Sequence, residues 1–339
     1  SLSVQCMDAP VEVALEAPAS VMEPEAVLSV KIRLKPRLTR AQSVVVGAVE
    51  ASLTDESHVV TGGTAGLGLL TGRWLSQRGA SYLVLASRSG ALARDTAIEW
   101  EAVQASGADA TFAKCDTGEE RHVRRLFAST PSPVQGVWHA AGALADAMLQ
   151  KQDAAGLAFV YAPKAHGAWS LHSATSVTGM RAFAFFSSVA ALLGGAGQAN
   201  YAAANTCLDA LAICRQTRGV TATSMQWGAW AEVGMASRGA AGARLAAMAA
   251  AAGFGLIGLA QGMAALSTAT RDAAAPVLSL VPIVWNKYLA GSASPPSFFS
   301  EFAPKRKVAS GMAAKGPVAA AAGAVLSLDF ILEMVKRTA

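Results

Sequence analysis

A glycine-rich turn between an apolar strand and a helix is the feature that most constrains the fold of this chain. The sequence predicts a buried strand over His58–Thr61, a helix over Leu67–Arg78 that ends at Gly79, and a second strand over Tyr82–Ala86. Three glycines stand where the chain must turn sharply and pass beneath a ligand: Gly62, Gly66 and Gly68. This order of strand, turn, helix and strand is typical of a nucleotide-binding unit.

The turn predicts a site for a dinucleotide. The first N–H groups of a helix and the positive end of its dipole bind a pyrophosphate, and glycines let the backbone approach it. A glycine-rich turn without a ligand is the alternative, but the flanking strands and helix favour binding. The candidate cofactor-binding residues of the turn are Gly62, Gly63, Thr64, Gly66, Leu67 and Gly68.

The residues after the second strand favour NADP over NAD. NAD-binding folds place an acid there for the ribose hydroxyl, whereas this chain has Ser87 and Arg88. A guanidinium group matches the geometry of a 2′-phosphate. The sequence therefore predicts NADPH as the reduced cofactor.

Composition limits the other classes of function. The chain has 339 residues, a formal net charge of +5 and 53% hydrophobic residues, enough for a sizeable buried core. Its Lys and Arg residues are scattered, and the single tight cluster is Lys305–Lys307. We therefore predict no nucleic-acid groove.

Cysteine usage and hydropathy indicate a cytoplasmic protein. Cysteines at positions 6, 115, 207 and 214 form no Cys-x-x-Cys pair, which favours reduced thiols, and no signal peptide is expected at the start of the chain. Leu245–Thr270 carries no charged residue and is long enough to cross a bilayer. Because it is mostly Ala and Gly, contains Gln261 and is interrupted at Gly253, we predict two packed helices rather than a membrane span.

Strands and helices alternate through the middle of the chain. This alternation predicts a doubly wound α/β fold, a parallel Rossmann-type sheet between layers of helices, with ligands at the carboxyl ends of the strands. Further helices are predicted over Arg94–Ser106, Glu119–Ser129, Ala162–Ala174 and Tyr201–Arg218, and further strands over Ala110–Lys114, Val134–His139, Ala182–Ser187, Ala222–Trp227 and Val277–Val281.

The two ends of the chain differ in composition from this middle part, predicted to be one domain over residues 57–290. Residues 1–56 are proline-containing and too few for a strong core, so they are expected to be the remnant of a preceding domain. Residues 291–324 have the composition of a linker, and residues 325–339 begin an amphipathic helix.

Four polar residues are predicted to meet at the edge of the sheet where a nicotinamide would lie. Ser188 follows a strand, Tyr201 begins the next helix, and Asn205 lies one turn further on the same face. Lys164 comes from the preceding helix. Each residue taken singly has a structural explanation, but their convergence behind a dinucleotide turn favours catalysis.

This set matches the needs of carbonyl reduction. When a hydride reaches a carbonyl carbon, negative charge develops on the oxygen, so one group must donate a proton and another must position the oxygen. A phenol has a pKa of about 10, and an ammonium about 4 Å away lowers it by up to about three units. Lys164 is therefore predicted to lower the pKa of Tyr201, with Ser188 holding the carbonyl oxygen and Asn205 ordering Lys164 or a water molecule.

Seven short motifs lie in order along this part of the chain. They are Thr-Gly-Gly-Thr-Ala-Gly-Leu-Gly at 61–68, Leu-Ala-Ser-Arg at 85–88, Cys-Asp at 115–116, His-Ala-Ala-Gly at 139–142, Phe-Ser-Ser at 186–188, Gly-Gln-Ala-Asn-Tyr-Ala-Ala-Ala-Asn at 197–205 and Trp-Gly-Ala-Trp at 227–230. With these motifs, residues from about His58 to Leu289 resemble the ketoreductase domain of modular polyketide synthases, a branch of the short-chain dehydrogenase/reductase superfamily. The tyrosine of ordinary superfamily members is followed four residues later by Lys, whereas here that residue is Asn205, as in synthase reductases.

The resemblance implies an activity and its partners. The activity is NADPH-dependent reduction of a β-ketoacyl thioester, bound to an acyl carrier protein, during polyketide or fatty-acid elongation. Asp116 would contact the adenine, and Ala140, Ala141 and Gly142 would run along the nicotinamide ribose. Arg33–Arg40 resembles the end of the pseudo-reductase subdomain of such synthases, and the helix from Val325 resembles the start of a carrier domain that lacks the Asp-Ser-Leu attachment motif.

The resemblance also implies a stereochemical outcome. Relatives that form the D-hydroxyl have Leu-Asp-Asp after the His-Ala-Ala-Gly motif, and this chain has Leu-Ala-Asp ending at Asp146. Relatives that form the L-hydroxyl have Trp at the position of Leu193. The D-hydroxyl is therefore expected, although Ala145 departs from the pattern. The segment 238–258 matches the substrate lid in position, but its small side chains give no indication of which acyl chain is preferred.

Two other functions share part of this evidence. A free-standing NADP alcohol dehydrogenase would have the same fold and reaction but Lys at position 205. A module that binds NADP for structural or sensing purposes would be expected to have lost Tyr201 or Lys164. Turnover of a β-ketoacyl thioester distinguishes the enzyme from the binding module.

Overall fold

The computed structural model describes the strands and helices of the central part of the chain and short pieces of its ends. The described residues are 27–29, 32–34, 38, 53, 56–130, 133–176, 179–231, 249–267, 271, 274–290 and 295–303.

Seven parallel strands form the central sheet, in the order β5, β4, β3, β6, β7, β8, β9. Two short strands near the start of the chain, β1 and β2, form a separate antiparallel pair. The strands are Val27–Ser29 (β1), Ile32–Leu34 (β2), Ser57–Thr61 (β3), Tyr82–Ser87 (β4), Asp109–Lys114 (β5), Val134–His139 (β6), Ala182–Ser188 (β7), Thr223–Trp227 (β8) and Val277–Leu280 (β9). The predicted doubly wound Rossmann-type fold is confirmed.

Helices cover both faces of this sheet. They are Gly66–Ser76 (α1), Ala97–Ala105 (α2), Glu120–Ser129 (α3), Ala154–Tyr161 (α4), Gly167–Ala174 (α5), Ala190–Leu193 (α6), Ala199–Thr217 (α7), Leu259–Leu266 (α8) and Trp285–Tyr288 (α9). A π-helical segment, Ala162–His166, joins α4 to α5, and 3-10 turns lie at Leu149–Lys151 and Ser297–Phe299.

Alternating side chains of the strands build a core on each face of the sheet. In β7, Ala184 packs into the cluster that contains α1, whereas Phe183 and Phe185 pack into the cluster that contains α5 and α7. Both faces of a parallel sheet are buried, so its strands read as continuous apolar runs rather than alternating ones. The sequence pattern indicated these strands for that reason.

The site is positioned by the strand order around β3. This strand lies between β4 and β6, which the chain reaches by connections running in opposite directions along the sheet. Thr61, the last residue of β3, is in register with Ala86 and His139 at the ends of those neighbours. The glycine turn therefore opens at the topological switch point, where doubly wound folds bind their ligands.

The helix before β7 differs from its prediction. The sequence predicted one helix over Ala162–Ala174, but the helical path already begins at Ala154 and changes to π geometry at Ala162–His166. Pro163 in the first turn of this π segment cannot donate a backbone hydrogen bond, so sequence reasoning started the helix beside it. The loss of regular α-helical bonding is local and sits at Lys164.

The predicted ends of the domain are only partly described. Part of the predicted linker is structured: the rings of Phe302 and Trp285 stack with centroids 4.2 Å apart, and the amide of Leu38 donates to Phe298 at 2.9 Å. Within the segment 291–324, predicted to be a linker, the aromatic rings of residues 295–303 are thus partly buried against α9. Residues 304–339, with the predicted carrier-like helix, and most of residues 1–56 lie outside the described residues.

The apolar segment from Leu245 to Thr270 contains helical residues 249–251 and helix α8, Leu259–Leu266. In the described part of the chain, no helix has both the length and the apolarity needed to cross a membrane. Most of the predicted substrate lid, residues 238–248, lies outside the described residues.

Candidate active site

The glycine turn after β3 is packed so tightly that two of its glycines cannot carry a side chain. A β-carbon at Gly68 would lie 2.1 Å from the carbonyl oxygen of Gly62, and one at Gly63 would lie 2.6 Å from that of Val60. Gly62 also has a φ of +69°, which favours glycine. These contacts bring the loop, the start of α1 and the ends of the neighbouring strands together.

The same turn leaves space for an anionic ligand at the start of α1. Gly66 begins the helix with a φ of +50°, and no atom lies within 4 Å of where its β-carbon would be. The residue before it, Ala65, has no side-chain acceptor to cap the helix. The first N–H groups of α1 are thus available to bind a pyrophosphate, as the sequence predicted for a dinucleotide.

The candidate residues for the adenosine end of the cofactor follow β4 and β5. The amide of Gly63 donates to Ala86 at 3.1 Å, which places Ser87 and Arg88 directly beside the glycine turn. The Ser87 hydroxyl accepts from the amide of Gly90 at 3.1 Å, and the Arg88 side chain is exposed. Asp116 follows β5 and accepts from the amide of Gly118 at 3.0 Å.

The three residues after β6 connect this cofactor loop to Lys164. The amide of Ala140 donates to Thr61 at 3.0 Å, and the backbone of Ala140 and Ala141 lies 2.9 Å from where a β-carbon of Gly62 would be. Gly142 in turn lies beside the Lys164 side chain. The predicted nicotinamide end of the site is therefore adjacent to the predicted catalytic lysine.

Lys164 is buried, with 3% of its surface exposed. Its ammonium donates to the carbonyl of Phe186 at 2.8 Å and lies 5.4 Å from the centroid of the Tyr201 ring. Burial lowers the pKa of Lys164 to about 8, and the negative charge of Asp209 opposes this shift. With a pKa of about 8, the protonation state of Lys164 depends on nearby charges in the physiological pH range.

The structure brings the other predicted residues to the same place. Tyr201 is buried in the first turns of α7, and the neighbouring Ser188 and Asn205 side chains lower the pKa of its phenol. The Asn205 amide also donates to the backbone carbonyl of Tyr201 at 2.8 Å. The fully buried Oδ1 atom of Asn205 has no hydrogen-bond partner among the described residues. All four predicted polar residues thus converge.

A sequence profile of the KR domain family matches residues 56–232, which is just over half of the chain. The chain belongs to the KR domain family. Over 179 residues, this ketoreductase domain is 41% identical to the erythronolide synthase EryA2 of Saccharopolyspora erythraea. The match covers 52% of this chain and 5% of that protein. The domain is also 41% identical over 211 residues to the polyketide synthase GfsB of Streptomyces halstedii, covering 62% of this chain and 4% of that protein.

Solved structures support the same membership. A-type ketoreductases from a modular polyketide synthase superimpose with a TM-score of 0.70 at 32% identity, covering 78% of this chain and 56% of the solved chain. The ketoreductase domain described here therefore spans only small parts of the curated synthases and somewhat more than half of that solved ketoreductase.

The π-helical segment of the ketoreductase domain is held by two residues that sequence reasoning did not assign to the site in this role. The Thr117 hydroxyl donates to the carbonyl of Pro163 at 3.2 Å, and Nε2 of His139 lies 3.2 Å from the carbonyl of Lys164. The other ring nitrogen of His139 bonds the Thr61 hydroxyl at 2.7 Å. His139 was visible as part of the His-Ala-Ala-Gly motif, but its long-range contacts were not.

The pKa of Tyr201 in the ketoreductase domain depends on burial as well as on neighbouring side chains. Burial raises this pKa above its usual value, hydrogen bonds from Asn205 and Ser188 lower it, and the charge of Asp146 raises it. The net rise is due to desolvation: burial penalises the phenolate more than the neighbouring donors stabilise it. The effect of Lys164 on this phenol stays a prediction.

The residues that were predicted to govern stereochemistry lie on two segments near the start of α7. Asp146 accepts a hydrogen bond from Gln198 at 3.1 Å, and the Asn200 amide donates to the carbonyl of Ala145 at 2.8 Å. Leu193, half-buried, ends the short helix α6. Gln198 and Asn200 were missed as positioning residues, since only the folded loop shows that they anchor the segment before Asp146.

Proposed function

We propose that this ketoreductase domain reduces a β-ketoacyl thioester, carried on an acyl carrier protein, to the β-hydroxyacyl thioester with NADPH during polyketide or fatty-acid elongation. The observation that supports this most strongly is the convergence of Lys164, Ser188, Tyr201 and Asn205 at the strand edge beside the glycine turn. Such a set supplies a proton and positions the developing oxyanion.

Each residue has a distinct role in this proposal. Tyr201 donates the proton to the substrate oxygen, and Ser188 positions that oxygen. Lys164 provides positive charge beside the phenol, which stabilises the phenolate left after proton donation. The unpartnered Oδ1 of Asn205 accepts a hydrogen bond from Lys164 or from a water molecule that returns the proton. NADPH, when bound, would supply the hydride.

The residues that would hold NADPH are those around the glycine turn. The turn and the first N–H groups of α1 would bind the pyrophosphate, while Ser87 and Arg88 would bind the 2′-phosphate. The exposed guanidinium of Arg88 at the end of β4 supports NADPH over NADH. Asp116 would contact the adenine, and Ala140, Ala141 and Gly142 would line the ribose next to Lys164.

The broader context of this activity is also a proposal. A carrier-bound substrate requires an acyl carrier domain with phosphopantetheine and other synthase domains as partners, and reduced thiols favour a cytoplasmic location. The reductase would correspond to residues 57–290, preceded by the end of a pseudo-reductase or another synthase domain. Asp146 and Leu193 favour the D-hydroxyl product.

A module that binds NADP without turnover is the second candidate function, because the cofactor loop alone would serve it equally well. The buried lysine and the hydrogen-bonded phenol argue for catalysis, since burying both groups is costly and cofactor binding alone does not require them. A free-standing NADP alcohol dehydrogenase is less well supported because position 205 is Asn rather than Lys.

A single-turnover measurement tests the proposed function. NADPH oxidation with a β-ketoacyl thioester should slow at least about a hundredfold in Tyr201→Phe, because the proton donor is lost while the ring remains. The matched control is Tyr82→Phe, which removes a phenolic hydroxyl that bonds the Thr111 hydroxyl at 3.2 Å between β4 and β5. If NADPH binds but neither the unsubstituted chain nor the Tyr82→Phe variant oxidises it with the thioester, a module that binds NADP without turnover is supported instead.

A further inference from the structure

A carboxylate that the proposed reaction does not use is buried behind the site. Asp209 lies on α7, eight residues after Tyr201, and only 7% of it is exposed. It accepts hydrogen bonds from the Ser224 hydroxyl at 2.6 Å and from the Gln226 amide at 2.8 Å. An ionised carboxylate so deep in the protein is costly unless it is paired or well hydrogen-bonded.

The hydrogen bonds around Asp209 connect three strands to α7. Gln226 of β8 accepts from the Ser279 hydroxyl of β9. Ser187 of β7 donates to the backbone carbonyl of Asn205 at 3.4 Å, and its hydroxyl is close enough to Asp209 to lower the pKa of that carboxyl group. The carboxylate is therefore fixed from several sides, and its position is set by the sheet rather than by the helix alone.

Lys164 approaches the same group of residues from the π-helical segment. Its ammonium bonds the carbonyl of Phe186, the residue immediately before Ser187. Burial raises the pKa of Asp209, the hydrogen bonds from its partners lower it, and the positive charge of Lys164 lowers it further. The two charges form no direct ion pair among the described residues, but each favours the charged form of the other.

Other titratable groups face this pair but cannot replace the acid. His139 is buried next to Lys164, and burial together with that cation lowers the pKa of the imidazole to about 4, so it is neutral near pH 7. Burial raises the pKa of the Cys207 thiol, and the charge of Asp209 raises it further. Tyr201 is a neutral phenol at this pH, since its pKa is raised. Asp209 thus supplies the negative charge near the ammonium.

We propose that Asp209 is a positioning residue for the reduction: its carboxylate, held by Ser224 and Gln226, is the buried counter-charge that keeps Lys164 protonated and placed between Phe186 and Tyr201. This inference rests on the proposed function, because it acts through the role assigned to Lys164. A purely structural Asp209 would tie α7 to β8 and affect stability alone.

The test combines two substitutions, D209N and K164M, separately and together. Asp209→Asn should lower kcat about tenfold or more at pH 8 and move the alkaline limb of the kcat profile down by about one pH unit or more, since Lys164 loses the charge that keeps it protonated. The matched control is Ser224→Ala, which removes one hydrogen bond of the same carboxylate but keeps its charge. In Ser224→Ala, the alkaline limb of the kcat profile should not move.

Thermal melting measures the coupling without any turnover. Each single substitution leaves one buried charge unpaired, so the double variant should melt at a higher temperature than the sum of the two single losses predicts. In kcat, D209N should cost little in the K164M background. Additive melting losses, or an alkaline limb that does not move, would overturn the proposal.

Poor folding of D209N would not leave the question open. Recovery of folded protein when K164M is added supports the charge pair, and no recovery overturns it. Failure of the proposed function is distinguishable, because a Tyr201→Phe enzyme with normal turnover would refute that function, whereas the melting coupling between D209N and K164M would still report on the pair.

Discussion

Gly142 and Lys164 are in contact across the candidate site: a β-carbon at Gly142 would lie 2.9 Å from Cε and 3.4 Å from Nζ of the lysine. The loop after β6 therefore limits where the ammonium can lie. The neighbour that must move is the end of a long side chain, so a methyl group here can be accommodated by shifting the lysine rather than the backbone.

The first prediction follows from this contact. Gly142→Ala should fold normally but lower kcat about tenfold, because Lys164 is displaced from the phenol of Tyr201. The measurements are steady-state kinetics and a melting curve. Gly179→Ala is the control, as nothing lies within 4 Å of a β-carbon there. Unchanged kcat in Gly142→Ala would show that the position of Lys164 is not limiting.

The second prediction concerns the cofactor cradle. Gly66→Ala should raise the dissociation constant for NADPH about tenfold or more, because the new methyl group fills the space at the start of α1. Gly107→Ala is a matched control: Gly107 also has a positive φ, +82°, and open space around it, but it lies after α2. Both substitutions should cost about 1 kcal/mol of stability.

Fluorescence titration of NADPH separates the two glycine variants. Equal loss of affinity in both would mean that backbone strain, rather than occupation of the cradle, weakens binding, and would count against a pyrophosphate site at the start of α1.

The third prediction concerns the choice of cofactor. Arg88→Ala should raise KM for NADPH about tenfold and leave KM for NADH nearly unchanged, since a guanidinium recognises the 2′-phosphate that only NADPH carries. The control is Arg121→Ala, which removes an exposed guanidinium of α3 that pairs with Glu119, the residue before this helix. An equal rise in KM for NADPH and for NADH would show that Arg88 acts elsewhere in the binding site and not on the 2′-phosphate.

The fourth prediction is a pH dependence of stability. Burial lowers the pKa of His139 to about 4 from the usual 6.5, so between these values the unfolded chain binds a proton that the folded chain does not. The histidine's contribution is fully present above pH 6.5 and is lost as the pH falls toward 4, with a slope of up to about 1.4 kcal/mol per pH unit.

Unfolding experiments between pH 7 and 4 check this sign. His139→Gln should show a shallower loss on acidification than the unsubstituted chain, although Glu56 and Asp209, whose pKa values are raised by burial, change in the opposite direction in both proteins. The same substitution at the exposed His166 controls for removal of a histidine. Identical slopes for all three proteins would contradict the buried, neutral imidazole.

The fifth prediction concerns stereochemistry. The D-hydroxyacyl product is expected in excess, and Asp146→Ala should reduce that excess, because the loop loses its bond to Gln198 at the start of α7. Asp153→Ala is the control, because this carboxylate accepts from the amide of Gly156 and so caps α4 rather than the loop at the start of α7. Chiral chromatography of the product measures the ratio, and a dominant L-hydroxyl product would refute the assignment.

The amino-acid sequence by itself determined the fold class, the glycine turn and the residues that meet at the candidate site. These are local signals: apolar runs of strand length, glycines at a turn, and Tyr201 and Asn205 one helical turn apart. Because parallel strands in a doubly wound sheet carry their ligands at one edge, the order of strands and helices was enough to place the residues after β3, β6 and β7 together.

Only the tertiary structure decided how the lysine is held and how the site is charged. The π geometry at Ala162–His166, the bonds of His139 to Thr61 and Lys164, and the carboxylate of Asp209 beneath the site all depend on contacts between residues far apart in the chain. The raised pKa of Tyr201 has the same origin, because desolvation depends on everything packed around a group and not on its neighbours in sequence.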